Sequence, residues 1–174
     1  MANEQKTLKD TLTQEAEARD PGIVRGKKFI FRMCILLLVV RLVFAVSETV
    51  FIINRGLPLS SYFLNYLAML VSILFAFGIY KGFKPLAWLL ITGAAVSLLN
   101  LAINNLLAGF AAGDALYKFY VVALIVSMLV QIISMLAVIL HSDSKKYFTS
   151  VTNVNKTLIE QASNKKQQDL KQND

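Results

Sequence analysis

The sequence predicts an all-α integral membrane protein, an antiparallel four-transmembrane-helix bundle with polar cytosolic N- and C-terminal tails. Three observations predict it: four apolar runs long enough to cross a bilayer, charge gathered at the two ends of the chain, and polar residues recurring at helical spacing inside the apolar runs.

The 174 residues are 56% hydrophobic and 17% charged, with a mean hydropathy of +0.55. An ordinary soluble domain has about 45–50% apolar and about 25% charged residues. Residues 1–32 hold seven Lys/Arg and five Asp/Glu, residues 141–174 hold six and four, and the 108 residues between hold five and two. That distribution describes a membrane domain, 29–140, between a polar tail at 1–28 and a second at 141–174.

A span needs about 20 residues, at about 1.5 Å each. Four runs qualify: Phe29–Ile53, Tyr62–Tyr80, Pro85–Ala108 and Leu116–Leu140. The first follows a long polar stretch, which is not the pattern of a cleavable signal peptide. The MANEQ and LKQND ends carry no myristoylation or prenylation signal. NRGLPLSS (54–61) ends the first span and offers Ser60 or Ser61 as N-cap of the second. KGFKP (81–85) is a short turn with Pro85 suited to a first helical turn. GFAAGDA (109–115) closes the third span, and Asp114 can cap the fourth. Connections this short make consecutive helices antiparallel neighbours. In the C-terminal tail, Lys145–Ile159 places Phe148, Val151 and Leu158 on one helical face, and the final NKKQQDLKQND reads as disordered.

Basic residues near the span ends set the orientation. Arg19, Arg25, Lys27, Lys28 and Arg32 precede the first span, Lys81 and Lys84 follow the second, and Lys145, Lys146 and Lys156 follow the fourth; the opposite side has Arg55 and Lys118. Both termini are therefore expected in the cytoplasm, with the protein in the plasma membrane. Tyr80, Phe83, Trp88, Tyr147 and Phe148 mark the inner interface, and Tyr62, Phe63, Tyr117 and Tyr120 the outer one. On this topology the sequon Asn155-Lys156-Thr157 is inert. The net charge of +7 beside membrane spans points to anionic lipid rather than nucleic acid, with Arg25, Lys27, Lys28, Arg32, Lys145 and Lys146 as headgroup contacts.

Inside the spans, polar and small residues fall on one face of each helix: Arg41, Ala45 and Glu48; Asn65, Ala68, Ser72 and Ala76; Gly93, Ser97, Asn100 and Asn104; Ser127, Gln131, Ser134 and His141. Four such seams turned inward describe a bundle with a polar core. Counting rise per residue puts Arg41 near the midplane with Ser72, Ser97 and Gln131, and Glu48 about 10 Å further out with Asn65, Asn100 and Asn104. A mid-membrane Arg or acidic residue costs about 2.5–3.5 kcal/mol on insertion scales, so Arg41 and Glu48 call for partners. Helical side chains lean toward their N-terminus, so Arg41 leans away from Glu48, and a bridge through water, Gln131 or an Asn competes with a direct ion pair.

One cysteine, Cys34, excludes an intrachain disulfide, and one histidine, His141, argues against a metal centre. His141, Ser142 and Asp143 are sequence neighbours and cannot form a triad. No cofactor or catalytic residue is expected. The first functional reading is a non-enzymatic accessory or regulatory subunit, or interaction partner, of a larger membrane system, with a membrane protein or further copies of the chain as expected partner. The alternative is a small proton- or cation-coupled transporter or channel using Glu48 and Arg41. A membrane glutamate in the first of four short helices resembles the layout of the small multidrug exporters. This chain departs from that layout in its greater length, its 28-residue polar leader, and a glutamate placed late in the span.

Overall fold

The computed structural model describes residues 2–56, 58–103 and 113–172. The described residues form six helices and no strand: α1 (Ala2–Arg19), α2 (Pro21–Arg55), α3 (Leu59–Tyr80), α4 (Pro85–Ile103), α5 (Ala115–Leu140) and α6 (Ser142–Gln172). They divide into two compact units, Met1–Phe29 with His141–Asp174, and Ile30–Leu140. Helix α2 contributes its first residues to one unit and the rest to the other.

In the tail unit, α1 packs on α6. Ala16 and Arg19 share a groove with Lys145 through Val154, whereas Lys6 and Lys9 share one with Leu158, Ile159 and Ala162, so the two helices run antiparallel. Tyr147, Phe148 and Val154 are the buried apolar residues of α6, while Val151 and Leu158 are half-buried. Asp20 separates α1 from α2. Its Oδ1 accepts from the Gly22 amide at 2.8 Å, which caps α2, and Pro21 opens that helix without wasting a donor. A Cβ on Gly26 would run into the Asp143 backbone carbonyl, so only glycine permits this approach of α2 to α6. Phe29 stacks on His141 with centroids 4.2 Å apart.

The tails are thus more ordered than composition suggests. Helix α6 runs on to Gln172 through the stretch expected to be disordered. Lys and Gln are good helix formers, and no Gly or Pro interrupts them. Helix α2 begins at Pro21 rather than Phe29, because nothing between Gly22 and Phe29 breaks a helix.

In the span unit, α3 packs on α4 and α4 on α5. The α3–α4 turn closes with Gly82 at φ 94°, the Phe83 amide donating to Gly78 O and the Gly82 amide to Ile79 O, each at 2.9 Å. This paired pattern satisfies carbonyls that the helix end would leave orphaned. Pro85 starts α4 as expected, and Asp114 Oδ1 accepts from the Tyr117 amide at 2.9 Å to cap α5. The expected cap of α3 is corrected: Pro58 holds that position with φ −67° and ψ 154°, and Ser60 and Ser61 lie inside the helix. The extended ψ of Pro58 gives the non-helical entry, and no side chain caps the first amides.

Helix α2 joins α3 through Cys34 Sγ, which donates to Ala76 O at 3.5 Å, and through the Phe31–Tyr80 ring contact. It joins α5 through Phe51, stacked on Tyr120 at 4.6 Å, and through the Arg55–Asp114 ion pair at 2.6 Å. Two helices, α2 and α5, are long and apolar enough to cross a membrane; Met69–Tyr80 and Pro85–Leu101 add shorter apolar stretches. Only 28% of the apolar window in each long helix is buried, unlike the core helix of a soluble protein. Large apolar side chains stand exposed on all four helices, including Val43, Leu74, Leu99 and Ile133, each above half exposure. Exposed apolar side chains in this number mark an interaction or membrane-facing surface.

Candidate functional site

The span unit contains a cleft of about 740 Å³ lined by residues of α2, α3, α4 and α5. Each helix reaches it with residues at three- and four-residue spacing. Arg41, Phe44 and Glu48 come from α2, Leu67, Val71 and Ser72 from α3, Leu90, Gly93, Ala94 and Ser97 from α4, and Tyr120, Leu124, Met128 and Gln131 from α5.

Five of the eight expected polar-site residues, Arg41, Glu48, Ser72, Ser97 and Gln131, therefore line one cleft. Asn100 is exposed and is not among the lining residues. The side chain of Asn65 and the whole of Asn104 lie outside the described residues. On α5 the cleft face runs Tyr120, Leu124, Met128, Gln131. Of the expected seam, Ser127 and Ser134 are buried against protein instead, Ser127 beside a small void shared with Arg41 and Gln131.

Arg41 and Glu48 form no ion pair among the described residues. The Arg41 guanidinium sits over the Phe44 ring, 5.5 Å from its centroid, which gives the cation an aromatic face. Gln131 Nε2 donates to the Leu90 carbonyl at 2.8 Å, tying α5 to α4 and committing that N–H to backbone rather than to either charge. Tyr120 stands against both Phe44 and Phe51, making an aromatic wall on the α2–α5 side. The sequence reading missed this wall. It placed Tyr120 in the outer aromatic belt and passed over Phe44, although Phe44 follows Arg41 by three residues and so shares its face.

The expected headgroup cluster is divided by the fold. Arg25 pairs with Asp143 at 2.9 Å, Lys27 with Glu17 at 2.9 Å, and Lys146 with Asp20 at 3.0 Å. Lys28, Arg32 and Lys145 are exposed and belong to none of these pairs. The Lys146 ammonium, and then the Gly22 amide, hold the Asp20 carboxyl below its ordinary range; hydrogen bonding to Asp143 raises Arg25 above its own. Sequence alone could not pair Arg25 with Asp143, 118 positions away, or Lys146 with Asp20, 126 away.

His141 Nδ1 and Ser144 Oγ are buried without a hydrogen-bond partner. Among the described residues no group of three or more His, Cys, Asp or Glu gathers as metal ligands would. Compared with protein-family models, curated proteins and solved structures, the chain has no match.

Proposed function

We propose that this is a four-span protein of the plasma membrane, with both termini cytoplasmic, whose cleft binds a small charged solute and passes it across the bilayer without enzymatic chemistry. One observation carries the reading: Arg41 and Glu48 face a common cleft to which all four apolar helices contribute. Its size falls within the roughly 300–1,000 Å³ of small-molecule sites, and bundle interiors are where facing helices build such sites. Ionisable residues inside spans are expensive, and they typically mark solute paths, proton relays or subunit contacts. The exposed apolar surface and the basic residues near the span ends support four spans and this orientation.

A second reading, an accessory subunit of a larger membrane system, is favoured by a different observation. The tails form a compact helical unit of their own, with a groove of about 510 Å³ between α1 and α6 whose rim carries Arg19 and Lys145. Such a unit could dock a cytosolic partner, and its basic surface could rest on anionic headgroups.

One experiment separates the two. The chain is tagged at its C-terminus, extracted gently into lipid nanodiscs, and weighed intact by native mass spectrometry. A small-molecule adduct that Glu48→Gln removes supports the solute reading. A stoichiometric protein partner retained by Glu48→Gln overturns it in favour of the subunit.

A further inference from the structure

Arg41 and Glu48 are seven residues apart on α2, about 10 Å along its axis. They enter the same cleft without pairing with each other. Phe44 lies between them on that helix face, and Tyr120 of α5 stands against it, so the wall separating the charges is aromatic. A simple anion would satisfy Arg41 and strand Glu48; a simple cation would do the reverse. Within a membrane span, a charge left without a partner is costly.

We propose that the solute is a small zwitterion whose opposite charges flank an apolar middle, an ω-amino acid or a short peptide. Its carboxylate meets the Arg41 guanidinium, its ammonium meets the Glu48 carboxylate, and its hydrocarbon lies along Phe44 and Tyr120. Such a molecule satisfies both ends at once and adds no net charge to the cleft. The inference rests on the reading of the cleft as a solute site, and names the class of solute.

The test is isothermal titration of the full chain in nanodiscs with 6-aminohexanoate, 4-aminobutyrate, hexylamine and hexanoate. At least one zwitterion should bind about tenfold or more tighter than both singly charged probes, the value of one charge-assisted contact. Glu48→Gln should bring 6-aminohexanoate down to the level of hexanoate, and Arg41→Gln down to that of hexylamine. If neither variant folds, the wild-type order of the four probes decides alone. A singly charged probe that binds as tightly as the zwitterions overturns this inference and leaves the cleft as a solute site. If no probe binds and no small molecule co-purifies, the solute reading falls, and the zwitterion with it.

Discussion

Gly26 leaves no room for a methyl group. A Cβ there meets the Asp143 carbonyl, which is backbone and cannot swing aside. Gly26→Ala should destabilise the tail unit by about 1–3 kcal/mol, the usual cost of overpacking, and limited proteolysis should release the tails at lower protease concentration. Gln131 gives a gentler prediction. Its bond to Leu90 O joins two apolar helices, and such bonds average about 0.6 kcal/mol in membranes, so Gln131→Leu should lower the unfolding midpoint in mild detergent only slightly. Arg41 and Glu48 were legible as site residues because a charge inside an apolar run has few innocent explanations. Phe44 and Tyr120 were not, since one more aromatic in an apolar helix looks like lipid-facing bulk.

At the scale of the element, helix ends were readable wherever one residue supplies both geometry and partner. Asp114 does so, and Asp114→Ala should cost α5 about 0.5–2 kcal/mol, visible as fraying of its first turn in hydrogen exchange. Pro58 was missed because a serine offers a capping oxygen, whereas this helix starts without any side-chain cap. The length of α6 was missed because polar composition was read as disorder, although Lys and Gln are good helix formers and no Gly or Pro interrupts them. The α1–α2 junction has a definite acid response. Asp20 is held below its ordinary pKa of 3.8 by Lys146 and Gly22, so its contribution is complete above that value. It is lost as pH falls through the lowered folded value. Helical content should therefore stay level from neutrality to about pH 4 and then drop, and Asp20→Asn should flatten the drop in circular dichroism. Arg25 is raised by its bond to Asp143, so the guanidinium itself stays charged throughout the acid range.

For the whole molecule, hydropathy gave the helical class and the apolar stretches, because both depend on local composition. The pairing of tail with tail was invisible, since it joins residues more than a hundred positions apart. The proposed orientation has a direct check. A reporter active only in the cytosol should work at either terminus and fail when inserted at Gly56, whose φ of 60° already marks a turn with open space around it. If the chain is made where glycosylation occurs, Asn155 should remain unmodified, and a glycan there would reverse the topology.

The Arg55–Asp114 ion pair has a consequence for how the protein is made. On the proposed topology each residue ends a different external loop, and the two loops cross the bilayer separately, as successive hairpins emerge from the ribosome. Arg55 waits on the far side until Asp114 arrives, so their bond forms only once the last hairpin is through. On that topology it is a latch on completed insertion, and a light one, since the side chains are 41% and 56% exposed and such pairs are worth at most about 1 kcal/mol. Asp114→Asn keeps an oxygen for the α5 cap but releases the latch, so in a pulse-chase experiment it should slow the gain of protease resistance while leaving the rate of synthesis unchanged.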